Sequence, residues 1–271
     1  MIFSLIVFFL WTASAVAAVG EVIGLPLTGE VAVDFLRTAE VEGKPEDFDV
    51  LAITDPVRVT LNDGSQTLRA IFKDENTNHL KFTFADGRAL TRVKDSYKNE
   101  IAAYELDALL GLGIVPPCVE RRILSHTGAL CLWVENTMTE AERIKKNIQP
   151  PSAAIWNNQM FVIRFFHQLI WDPDFNNVRN TLVDTNFKIY KIDSSMAFRA
   201  DSDLRNEKNV TRFSKTTLAA LESLERSEVD ARLEPWLDQK RLDALWARRT
   251  RLLELAKELI AVRGEGAVLF E

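Results

Sequence analysis

Two spacings of apolar residues run along this chain and divide it into halves of different character. In VRVTL (57–61) apolar side chains recur at every second position, and a similar pattern returns in QTLRAIFK (66–73), with Asn62-Asp63-Gly64 between the runs. Alternation on both sides of such a turn predicts an antiparallel hairpin. Before it, residues 28–41 (TGEVAVDFLRTAEV) mix apolar and charged positions as a short helix does. After it, residues 74–79 read as a polar linker, 80–84 as an extended run, and Asp86-Gly87 as a turn. Residues 95–112 predict the first long helix. Asp95 or Ser96 is the candidate cap, Ile101, Tyr104, Leu106, Leu109 and Leu110 form the apolar face, and Gly111 and Gly113 end it. Strands are expected at 118–124 and 129–135.

The second half changes period. Residues 155–171 (IWNNQMFVIRFFHQLIW) are a nearly continuous apolar helix, which implies burial on most sides. A short strand pair follows at 180–183 and 187–192, then amphipathic helices at 216–224 and 235–260. In the last helix Arg248, Arg249, Arg251 and Glu254 are expected on a solvated face. The fold class is therefore α+β, in a bilobal, protein-kinase-like arrangement. A small antiparallel β lobe with one helix spans 18–136, a mainly helical lobe spans 137–271, and a cleft between them is the expected nucleotide site.

Composition narrows the reading. With 271 residues the chain can build a substantial core, and 47% apolar with 27% charged residues excludes disordered and collagen-like classes. A net charge of −6 argues against nucleic acid as a main partner. Residues 2–19 carry no charge, and Ala15-Val16-Ala17 matches a small-x-small cleavage pattern, so 1–17 reads as a signal peptide and the chain as exported, periplasmic or secreted. No Lys or Arg precedes the run, so an uncleaved membrane anchor over 2–19 and a misassigned start codon remain alternatives. Only Cys118 and Cys131 are present. A hairpin centred on Ser125-His126-Thr127-Gly128 sets Cys131 opposite Arg122, which predicts two buried thiols rather than a disulfide.

The candidate chemistry lies in residues 170–199, where Asp174, then Asn180, then Asp193 after an apolar strand have the layout of a phosphotransfer site. The first Asp can orient or deprotonate a hydroxyl, and the amide and second carboxylate are hard oxygen ligands for a divalent metal on phosphates. Asp172 is the rival for the base role. Lys73 at the end of RAIFK can meet phosphates, Glu100 in the long helix can anchor it, and Gly64 is the one hairpin glycine whose turn could contact them. Nothing resembles a glycine-rich phosphate loop. His167, on the apolar helix, reads as a packed core histidine.

Three segments, DSYKNEIAAYELDALLGLGIVPPCVER, LWVENTMTEAERIKK and RFFHQLIWDPDFNNVRNTLVDTNFKIYKIDSSMAFR, resemble a bacterial family of atypical kinase-like proteins. That family is itself similar to the phosphatidylinositol-kinase, HipA-type and secretory-pathway protein kinase folds, and the resemblance spans residues 34–262. It implies Lys73 as the ATP-binding lysine, Glu100 as its helix partner, Asp174 as the catalytic-loop Asp, and Asn180 with Asp193 as the pair that holds Mg2+ or Mn2+. The implied partners are ATP and a hydroxyl acceptor on a protein or small molecule, with no membrane partner if the leader is removed. Where the family's loop resembles D-R-N-x-G-N, this chain has DFNNVRN, one residue longer, with Phe175 in place of the basic residue. His167 stands where many members carry Asp, and Ser194-Ser195-Met196 replaces a His-Ser-Arg-like stretch. A non-catalytic kinase-like binding module is the alternative reading.

Overall fold

The computed structural model describes residues 22–47, 56–84 and 86–271. The expected signal peptide and the alternative anchor lie outside the described residues. Helix α1 (Gly29–Thr38) leads into strands β1 (Glu40–Asp47), β2 (Val57–Asn62) and β3 (Thr67–Lys73). A separate ribbon, β4 (Asn76–Thr83) and β5 (Ala89–Ser96), runs straight into helix α2 (Tyr97–Leu110), and β6 (Cys118–Ile123) and β7 (His126–Leu132) follow. The main sheet is antiparallel, in the order β1-β2-β3-β7-β6.

Helices α1 and α2 pack on this sheet through β6 and β7. Phe35 and Leu36 of α1 and Ile101 and Leu106 of α2 share its core with Leu61, Ala70, Leu130 and Leu132. Helix α2 is buried almost all round, because α5 (Lys215–Ser223) and α6 (Arg226–Leu233) of the second half also contact it. Gly111 ends α2 in the left-handed region, at φ 62°, where its N–H reaches the last carbonyls.

Between Leu132 and Thr137 the chain leaves this sheet for another. Strand β8 (Thr137–Thr139) joins β9 (Thr181–Asp184) and β10 (Ile189–Lys191) in the order β10-β9-β8. Helix α3 (Glu140–Lys145) starts on a capping box between Thr139 and Glu142. Helices α4 (Ala153–Leu169) and α7 (Gln239–Arg263) pack together as the centre of the helical half. Among the described residues no helix is long and apolar enough to cross a membrane. The N-terminal segment is tied back by two backbone hydrogen bonds between Gly24 and Glu135, at 2.9 and 2.8 Å. Gly24 has φ 77°, and a Cβ there would collide with the Tyr190 hydroxyl.

The structure corrects several expectations. The polar linker at 74–79 is mostly strand β4, and its partner β5 takes up Asp95 and Ser96, so the helix begins at Tyr97. Ser96 precedes α2 but makes no side-chain cap; its hydroxyl bonds Asn76 at 2.9 Å. The short N-terminal helix stops at Thr38, and Glu40 already pairs in β1. Arg248 is not on a solvated face: it is fully buried, and its guanidinium donates to the carbonyls of Leu169 (2.8 Å), Arg199 (3.1 Å) and Asp201.

Cys118 and Cys131 form a disulfide. The hairpin turn lies earlier than expected: Ile123 pairs with His126, so only Leu124 and Ser125 are unpaired, with Leu124 in the left-handed region at φ 54°. That register sets Cys118 opposite Cys131. Gly128 belongs to the strand, where a Cβ would run into the Lys73 carbonyl. The bridge closes a sequence separation of 13 residues, which on chain-entropy grounds stabilises by about 3 kcal/mol. Urea unfolding of Cys118→Ala/Cys131→Ala should show a loss of about 2–3 kcal/mol; an unchanged midpoint would contradict it.

Candidate functional site

Lys73 is the last residue of β3, and register carries its side chain towards α2 and the end of β10. Its ammonium bonds Glu100 Oε1 at 2.7 Å and Asp193 Oδ1 at 3.0 Å. The other Glu100 oxygen accepts the Ser194 N–H at 2.9 Å, so the helix carboxylate clasps both the lysine and the backbone after Asp193. Burial alone would lower the Lys73 pKa; the Asp193 and Glu100 charges overcome that and hold it above the usual lysine value. Asp193 is pulled below the ordinary carboxylate range by the Lys73 charge, against its own desolvation. Its backbone is left-handed, φ 60°, a conformation that Asp tolerates better than most residues and that is concentrated at functional sites.

Asp174 lies in the turn after α4. Its Oδ2 accepts the side-chain amides of Asn177 (2.8 Å) and Asn180 (3.0 Å). Burial pushes its carboxyl up, the Asn177 bond opposes that, and the charges of Asp172 and Asp193 add to the rise. Asn180 sits just before β9, and its backbone carbonyl accepts the Ile192 N–H at 2.9 Å, which sets it beside Asp193 across the β9–β10 pair.

The donors fit a divalent metal of the Mg2+ or Mn2+ type. The Asn180 amide nitrogen is committed to Asp174, so the acceptor left on that side chain is its carbonyl oxygen, a hard ligand. Asp193 spends one oxygen on Lys73, and its side chain remains 45% exposed. Two oxygen donors with the rest of the shell left to phosphate and water is how such ions are commonly held. Gly64 is not brought to this cluster. Its hairpin tip lies the whole seven-residue length of β3 away from Lys73, roughly 20 Å at the usual strand rise.

Two contributors, Asn177 and Lys191, escaped the sequence reading, and Asp172 takes a different role from the one considered for it. Asn177 bonds Asp174 directly. Lys191, fully buried, donates to the carbonyls of Ile192 (2.7 Å) and Asp193 (3.0 Å) and pairs with Asp172 at 3.0 Å. Its signal was a lysine inside the apolar strand before Asp193. Asp172, the rival base, is buried against Lys191 and uses its other oxygen to accept the Asp174 N–H at 2.8 Å, so it positions the loop.

His167, 3.7 Å from Asp172, is pushed down to about 4 by burial, with Asp172 opposing. It stays neutral in the folded protein while the unfolded chain binds a proton near pH 6.5. Between about pH 6.5 and 4 the unfolded state therefore holds more protons, and stability is lost as pH falls. Moving from pH 7.5 to pH 5 should cost about 2 kcal/mol through this group. Denaturant titrations of the unmodified protein and His167→Asn at both pH values check this; equal losses would contradict it.

No protein-family model matches the chain, and no curated protein matches it in sequence. Solved structures do match. The structure of hydra Fam20 with sugar superposes with a TM-score of 0.61 at 17% identity, covering 88% of this chain and 90% of that one. The Helicobacter pylori proinflammatory kinase CtkA is 12% identical, covers 84% of this chain and 98% of its own, and has a TM-score of 0.49. The chain has a bilobal, kinase-like fold.

Proposed function

We propose that this protein is an atypical ATP-dependent kinase that phosphorylates a hydroxyl group on a protein or small molecule. The observation that supports it most is the Lys73 ammonium shared between Glu100 of α2 and Asp193 beyond β10, which joins both lobes at one cation. Lys73 orients the nucleotide phosphates, and Glu100 fixes Lys73. Asn180 and Asp193 hold a divalent ion, which when bound neutralises charge on the phosphates. Asp174 accepts the proton of the acceptor hydroxyl as its oxygen bonds to the terminal phosphorus and the bond to the bridging oxygen breaks, releasing ADP.

A second reading, a nucleotide-binding scaffold with little turnover, is favoured by the longer loop and by the two amides that converge on one Asp174 oxygen. A displacement of about 1 Å in a reacting group can cost on the order of 100-fold in rate. The disulfide fits an oxidising compartment and an exported protein cleaved after Ala17. Incubation of the oxidised mature chain with γ-labelled ATP and Mg2+ or Mn2+ tests the proposal. Label on the chain, on an added hydroxyl acceptor or released as phosphate supports the kinase; nucleotide binding with no release under either metal supports the scaffold.

A further inference from the structure

Phe175, the residue after Asp174, is flanked by two guanidiniums from distant parts of the chain. Arg88, at the tip of the β4–β5 ribbon, lies 5.1 Å from its ring centroid and donates to the Pro173 carbonyl at 3.0 Å. Arg205, in the segment after Asp193, lies 5.6 Å from the same ring and 4.6 Å from Trp171. Arg199 stacks on Trp171 as well, at 5.2 Å. Three cations thus converge on two aromatic rings that bracket Asp172, Pro173 and Asp174.

Their charges are unequally compensated. Arg88 pairs with Asp86 at 2.5 Å, and Arg199 pairs with Asp201 at 3.0 Å. Arg205 makes no hydrogen bond or ion pair among the described residues, although Asp172 and Asp201 act on it at longer range. Its Nε and the Arg88 Nη2 are buried without a hydrogen-bond partner. A buried donor without an acceptor is destabilising, and two like charges held on one ring add to that. Ring faces hold guanidiniums in place but use none of their N–H groups. Guanidinium N–H groups left unused match the chemistry of an oxyanion, which takes such donors in parallel.

We propose that Arg205 and Arg88, stacked on Phe175, form an oxyanion subsite beside Asp174 that binds a phosphate-sized anion. The anion is either the terminal phosphate of the nucleotide or an anionic group on the acceptor next to its hydroxyl. The subsite rests on the kinase reading for its purpose, but its existence is tested without turnover.

Inorganic phosphate alone, titrated into the oxidised protein by calorimetry without nucleotide or metal, is the first probe. Binding in the millimolar range is expected, weakened at least 10-fold in Arg205→Met and unchanged in Arg226→Met, whose guanidinium pairs with Asp230 and Asp243 elsewhere. Phe175→Leu, which keeps both arginines but removes the platform, should weaken it to a smaller extent. No phosphate binding up to tens of millimolar, or equal binding by Arg205→Met, overturns the subsite. Thermal unfolding of each variant separates loss of binding from loss of fold; if Arg205→Met does not fold, Arg205→Gln and Phe175→Leu carry the same test. Mg2+-ATP and Mg2+-ADP then identify the source. Loss of an ATP-over-ADP preference in Arg205→Met assigns the anion to the nucleotide, and an unchanged preference assigns it to the acceptor. Failure of the kinase reading would appear separately, as Mg2+-ATP binding indifferent to Asp193.

Discussion

Replacing Arg248 by alanine should destabilise the protein by about 3–5 kcal/mol, the range seen when a buried charged hydrogen-bonding group is removed from its partners. The side chain, on α7, is fully buried against the end of α4, and three carbonyls from two segments lose their donor at once. Two of them, Arg199 and Asp201, follow Asp193 in the chain, so the loss also loosens the segment that carries Arg205. Burial lowers the Arg248 pKa, with the nearby Asp201 and Asp203 charges opposing, yet arginine stays protonated through the working range. Arg248→Lys should recover only part of the loss, because one ammonium cannot reach three carbonyls in the geometry of a planar fork. Thermal unfolding reads the result as a drop in Tm of roughly 10 °C. A drop under about 2 °C would mean that the interior closes around the missing group.

Asp174→Asn should reduce phosphotransfer by roughly 1000-fold, within the range that general-base removal produces, while nucleotide affinity changes less than about 2-fold. The asparagine oxygen can still accept from Asn177 and Asn180, so the loop should hold its shape. Asp172→Asn should behave differently. It leaves the Lys191 ammonium buried and unpaired, so it costs stability first and rate only through disorder of the loop. Single-turnover rates set beside unfolding curves for both variants separate the roles. A stable Asp172→Asn protein with the larger loss of rate would move the base from Asp174 to Asp172.

The elements that carry the candidate site were legible because each has a strong periodic or turn signal. The β2–β3 hairpin delivers Lys73, the long helix delivers Glu100, and the apolar strand before Asp193 delivers the second carboxylate. The structure brings Lys73, Glu100 and Asp193 together in one ion-paired cluster. Gly64 shows the limit of order: a glycine in the neighbouring hairpin sits at its far end. The β4–β5 ribbon was legible only at its tip, from the extended run at 80–84 and the Asp86-Gly87 turn, for a physical reason. β4 is exposed or half-exposed along its whole length, so it needs no apolar alternation to reveal a strand. Arg248 hid because a buried arginine and a solvated one have the same letter, and only the carbonyls of Leu169, Arg199 and Asp201 distinguish them. The disulfide was missed by a misplaced turn. Gly128 suggested a loop, whereas Leu124 takes the left-handed position and Gly128 answers the close approach of Lys73.

On the proposed kinase reading, Asp193 and Asn180 would hold a metal ion and Lys73 would orient the nucleotide phosphates. Calorimetry of ATP with Mg2+ or Mn2+, on the unmodified chain and on Asp193→Ala, tests it most directly. Deleting even an outer-shell partner of a metal site typically costs roughly 10–100-fold in affinity, so loss of a charged ligand should weaken metal-dependent binding by about 100-fold or more. ATP without metal should bind both proteins weakly. Equal Mg2+-ATP affinity in the two proteins would contradict the account.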